Sequence, residues 1–70
     1  MNFNDLRAEI ARANLSIPKL AKIIKVDKKT LYSRMHGETA FDQDEISKIA
    51  KTLNLSTDKI LNIFFTDVVS

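Results

Sequence analysis

The chain reads as an all-α domain of five short helices. Three observations predict this class. Apolar residues recur at three- and four-residue spacing in five separate stretches, four of those stretches open on a residue suited to cap a helix, and no alternation of the strand type is sustained anywhere. No internal repeat or low-complexity linker divides the 70 residues, so they form one domain with one core.

Phe3, Leu6, Ile10 and Ala13 mark a first helix from about residue 3 to about residue 13, closed near Asn14, which accepts a left-handed backbone. Ser16 caps a second helix. Pro18 falls in its first turn, where a missing N–H costs little, and the helix is expected to finish near Lys25. Asp27 caps a third helix from about Lys28 to His36, and Gly37, the only glycine, terminates it. Asp42 with Glu45 three residues later has the arrangement of a capping box and starts a fourth helix, whose apolar stripe is Ile46, Ile49, Ala50 and Leu53. Asn54-Leu55 breaks it. Ser56 caps a fifth helix, with Leu55 and Ile60 in staple spacing across its first turn.

Between Ser16 and Gly37 the apolar residues Leu20, Ala21 and Ile24, then Val26, then Leu31 and Met35, describe two helices crossing at a tight turn. Ala21 is small where such a crossing requires a small side chain. Every polar position between the two helices that carries charge is basic except Asp27.

In KLAKIIKVDKKTLYSRMHGETAF this stretch resembles the phage Cro and CI repressor type of helix-turn-helix, the Xre-type family, and the later FDQDEISKIAKTLNLS and ILNIFF segments are similar to its fourth and fifth helices. The resemblance implies a compact five-helix, lambda-repressor-like domain over residues 1–65, with the motif at 16–37 and a short C-terminal tail at 66–70. Two positions depart from the pattern. The family usually has Gln where this chain has Ile17, and Gly where it has Lys25, a turn position that glycine occupies more cheaply.

The net charge of +2 is unevenly divided. Residues 1 to 18 sum to zero, residues 19 to 37 carry +5, and residues 38 to 70 carry −3. Basic charge therefore lies on the motif itself, the footprint expected of a face that binds a polyanion.

In such an architecture the second helix crosses the phosphate backbone and the third lies in the major groove. The outward positions of the third helix, Lys28, Lys29, Tyr32 and Ser33, are the expected base contacts, and the resemblance places readout at the same positions. For the two lysines, guanine O6 and N7 or a phosphate oxygen are both open as partners. Phosphate contacts are expected at Ile17, Lys19, Lys22, Arg34, His36 and Thr39. An intramolecular pair with an acidic residue is the other role open to Arg34, and a helix end complementing the dipole the other one for His36.

Catalysis finds no support: Asp42, Asp44 and Glu45 cluster where carboxylates complement a helix start, and no nucleophile-base pairing or glycine-rich phosphate loop is readable. With no cysteine and one histidine, neither a disulfide framework nor a thiolate metal site can form, and no cofactor is expected. No apolar run approaches the roughly 18 residues of a membrane span, and the N-terminus lacks the order of a signal peptide. A cytoplasmic protein is the expectation.

The expected function is sequence-specific binding of an operator in double-stranded DNA, as a phage or prophage repressor acting by occlusion. A protein-interaction module on the same scaffold, of the antitoxin or anti-repressor kind, is the alternative. Ile60, Leu61, Ile63, Phe64 and Phe65 exceed one narrow stripe. A homodimer on DNA is accordingly expected, with Ile63, Phe64, Phe65 and Val68 in the contact; the other place open to the rings of Phe64 and Phe65 is the monomer core.

Overall fold

The computed structural model describes residues 1–65. Five helices follow in order: α1 Phe3–Arg12, α2 Ile17–Ile24, α3 Lys28–Met35, α4 Gln43–Leu53 and α5 Thr57–Phe64. Among the described residues no strand occurs, in agreement with the all-α expectation.

Each start is fixed by a side chain that accepts an otherwise orphaned N–H. Ser16 Oγ accepts from Lys19 at 3.3 Å, Asp27 Oδ1 from Lys29 at 3.1 Å, and Ser56 Oγ from Lys59 at 3.2 Å. At α4 the box is reciprocal, with Asp42 accepting from the Glu45 N–H at 2.7 Å and Glu45 from the Asp42 N–H at 3.0 Å. Asn2, which apolar spacing alone does not single out, caps α1 through the Asp5 N–H at 3.1 Å.

The first four helices each run out into a left-handed residue. Asn14, Lys25 and Asn54 take φ of 58°, 62° and 55°, and Gly37 takes 77°. Lys25 is the costly one, because it lacks the short polar side chain that lets asparagine tolerate this region.

One core collects every helix: Leu6 and Ile10 from α1, Leu20, Ala21 and Ile24 from α2, Leu31 and Met35 from α3, Ile49 and Leu53 from α4, and Ile63 from α5. Ala21 is 2% exposed, so α3 lies close over α2 as its size requires. On α4 the expected stripe narrows, since Ile46 and Ala50 stay half-buried at its edges. The first and last helices meet where the Asn2 N–H donates to the Ile63 carbonyl at 2.7 Å and Asn62 Nδ2 to Asp5 at 2.9 Å.

This seam corrects one expectation about α5. Ile63 has no exposed surface and belongs to the monomer core, so it is not free to meet a second copy. Phe64 is half-buried, its ring edge-on to Phe41 with centroids 5.5 Å apart. Leu61 and Phe65 remain exposed, at 46% and 37%. Val68 and the tail at 66–70 lie outside the described residues.

Replacing Lys25 with Gly is expected to stabilise the fold by about 0.5 to 1 kcal/mol, the left-handed penalty less the added freedom of the unfolded chain. A higher urea midpoint at unchanged slope is the sign to look for. An unchanged midpoint would mean that Lys25 bears no such strain.

Candidate nucleic-acid interface

The crossing of α2 and α3 sets a single basic face. Lys19 and Lys22 project from α2, Lys28 from the start of α3, and all three line one cleft together with Pro18, Val26 and Asp27. Lys29 follows on the exposed side of α3. Among the described residues the ion pairs are Arg12–Glu9, Arg34–Glu45, Lys48–Asp44 and Lys59–Glu9, so Lys19, Lys22, Lys25, Lys28 and Lys29 are all unneutralised. Asp27, the one acid among them, is occupied as a helix cap.

On α3, Leu31 and Met35 face the core, which turns Lys29, Tyr32, Ser33 and His36 toward the other side. Tyr32 is 40% exposed. Its ring stacks on His36 with centroids 6.3 Å apart, and His36 Nδ1 donates to the Tyr32 carbonyl at 2.7 Å. The histidine thus supports the tyrosine from one turn further along, leaving only Nε2 for an outside partner.

At the N-terminus of α2, Pro18 has no N–H, and Ser16 satisfies that of Lys19. The Ile17 amide is therefore the donor left to an anion there, while the Ile17 side chain packs against the core.

Of the two roles open to Arg34, the structure realises the intramolecular pair. Its Nε donates to Glu45 Oε1 at 2.8 Å, Nη2 to Glu45 Oε2 at 3.2 Å, and Nη1 to Thr39 Oγ1 at 2.8 Å. Glu45 is buried, with 6% exposure. Burial pushes its carboxyl up, but hydrogen bonds from Arg34 and the Asp42 N–H, with the Arg34 charge, outweigh that and hold it below its ordinary value. Arg34 is raised in turn, chiefly by its hydrogen bond to Glu45. Local sequence does not specify this pair, because its two residues lie eleven positions apart.

The turn after α3 is a Schellman motif: the Gly37 N–H donates to the Arg34 carbonyl at 3.2 Å and the Glu38 N–H to that of Ser33 at 3.0 Å. Those amides are consequently committed within the turn and cannot serve a phosphate. Thr39 Oγ1 donates to Ser33 Oγ at 3.3 Å, and Ser33 Oγ to Glu38 Oε2 at 3.2 Å. With its only hydroxyl proton turned inward, the Thr39 side chain offers no donor to a phosphate. Glu38 adds an anion at the end of the basic face, a role that the helix periodicity does not reveal, although its place just after the terminating glycine is a usable signal.

Because Glu45 is depressed when folded, its contribution to stability is present above the ordinary glutamate value near 4.5 and is lost as pH falls through the lower folded value. Glu45→Gln is expected to lower stability at neutral pH by about 1 to 3 kcal/mol, because a charge-assisted bidentate bond is weakened. It should also flatten the acid limb. Urea melts of both proteins from about pH 7 to about pH 3 test this, and parallel pH profiles would refute it.

No curated protein and no solved structure matches the chain. The helix-turn-helix family matches residues 6–60, from the first core leucine of α1 into α5, and so takes in the whole two-helix unit and its supporting core. On that match, and on the capped, crossed pair of helices with its unneutralised basic face, the chain belongs to the Xre and lambda-repressor-like helix-turn-helix family of DNA-binding transcription regulators.

Proposed function

We propose that this protein is a sequence-specific regulator that binds an operator in double-stranded DNA and represses by occlusion, in the manner of the Cro and CI repressors of phages and prophages, in the cytoplasm. One observation carries the reading: among the described residues, five lysines without an acidic partner lie on the helix-turn-helix itself. On this reading Lys28, Lys29, Tyr32 and Ser33 face base edges. Lys19, Lys22 and the Ile17 amide, with His36 Nε2 at the far end of α3, hold phosphates. Arg34 and Thr39 act from behind that face, Arg34 tied to Glu45 by two hydrogen bonds and the Thr39 proton turned to Ser33.

Assembly on DNA is the second part of the proposal. Leu61 and Phe65 leave apolar surface exposed at α5, beside the half-buried Phe64. A two-fold contact through Phe64 and Phe65 would cover it and set two recognition helices roughly 34 Å apart, matching an inverted repeat. Val68 is the third residue assigned to that contact. The same exposed residues favour the alternative reading, a module that binds another protein through α5, as antitoxins and anti-repressors do. Ile17, in the place of an anchoring glutamine, points the same way.

Replacing both Lys28 and Lys29 with alanine is expected to weaken duplex binding and to flatten the plot of log K against log salt by about one unit for each phosphate that a lysine no longer neutralises. Unchanged affinity and slope would remove this face from the interface. For assembly, sedimentation of wild type and Phe65→Ser with and without a palindromic duplex is decisive. Two wild-type copies per duplex and one folded copy of the variant are expected. One wild-type copy per duplex, or a variant that unfolds by circular dichroism, would exclude the dimer contact.

A further inference from the structure

The polar groups at the C-terminal end of the recognition helix form a chain whose hydrogen-bond directions are fixed by its two ends. A guanidinium has donors and no acceptor, and an ionised carboxylate has acceptors and no donor. Thr39 Oγ1 must therefore accept from Arg34 Nη1 at 2.8 Å, and Ser33 Oγ must donate to Glu38 Oε2 at 3.2 Å. With the Ser33 proton already committed, the bond of 3.3 Å between the two hydroxyls has to use the Thr39 proton. Every hydroxyl proton in the chain points from Arg34 toward Glu38.

A free serine on a recognition helix reads either a donor or an acceptor, because its hydroxyl rotates. Here it cannot. Ser33 is left with a lone pair, and beside it Glu38, held over the helix by the Schellman turn and exposed to solvent, offers carboxylate oxygens. The pair is an acceptor-only reader. In the major groove the complementary donors are the exocyclic amino groups, cytosine N4 and adenine N6, whereas guanine O6 and N7 and thymine O4 are acceptors. At the other end of the same helix Lys28 and Lys29 are donors only.

We infer that Ser33 and Glu38 together determine specificity for a base bearing an exocyclic amino group, cytosine or adenine, at one position of each operator half-site, with Arg34 and Thr39 as positioning residues that fix the Ser33 proton. This rests on the sequence-specific DNA reading above. The anion also explains how a helix that starts on two lysines keeps selectivity: Glu38 repels phosphate at its end and is compensated only by an amino group within reach.

Selection of wild type, Glu38→Lys and Ser33→Ala against a randomised duplex pool tests the inference. Anisotropy titrations of the selected site follow, including a site whose cytosine or adenine is replaced by its analogue without the amino group, 2-pyrimidinone or purine. Wild type is expected to select cytosine or adenine at one position per half-site and to lose about tenfold in affinity for the analogue. Glu38→Lys, which presents donors only, should select guanine or thymine there, and Ser33→Ala should narrow the analogue penalty while salt dependence is kept. An unchanged base and an unchanged analogue penalty in both variants would overturn the inference while leaving the DNA reading intact. Wild type that binds all duplexes alike, or none, would overturn both.

Discussion

The Glu45 carboxylate is the tie on which the recognition face depends. It closes the start of α4 by accepting the Asp42 N–H, and it holds Arg34 of α3 by two further hydrogen bonds. One buried group thus joins the end of α3 to the helix that follows, across a loop whose one large apolar side chain is Phe41. A charge in this position is costly unless every lone pair and proton around it is matched. Among the described residues no buried side-chain polar atom lacks a partner, so the condition is met. The consequence is orientation: with Arg34 anchored, Thr39 and Ser33 lose their freedom to rotate.

What is legible in the sequence follows the range of the interaction. Ser16, Asp27, Asp42 and Ser56 all cap as expected, because a cap and its N–H lie within three residues and need no tertiary context. The left-handed end at Lys25 is equally readable, from the difference between that lysine and the glycine usual in the family. The crossing of α2 and α3 is visible in the small Ala21 between larger apolar neighbours. Long-range choices are not. Nothing local says that Arg34 will take Glu45 instead of a phosphate, or that the Asn2 amide will close on Ile63 and draw that side chain into the core. The excess of apolar residues on α5 is plain, but its division into a core Ile63 and an exposed Leu61 and Phe65 depends on how α1 lies against it.

The electrostatics of the face show the same division between local and distant partners. Four of the basic side chains outside the motif or at its end, Arg12, Arg34, Lys48 and Lys59, pair with acids. Among the described residues the five lysines from Lys19 to Lys29 have no such pair, although the chain holds nine acids and eleven basic residues. Leaving them solvated costs the monomer little, since an exposed pair contributes at most about 1 kcal/mol. It also leaves their full charge for a polyanion, which gains from counterion release what the monomer forgoes.

The turn after α3 and the end of α5 are neighbours in this fold. A cavity of about 360 Å³ is lined by Gly37, Glu38 and Thr39 together with Phe3, Phe64 and Phe65. A Cβ built on Gly37 would stand 3.4 Å from the Phe3 ring, so the turn carrying Glu38 rests directly on the aromatic layer that reaches α5. Phe65, 37% exposed, is part of the wall of that cavity. Glu38, which accepts from Ser33 Oγ at 3.2 Å, lines the same cavity. The turn after α3 and the exposed end of α5 thus line one cavity together with Phe3 and Phe41.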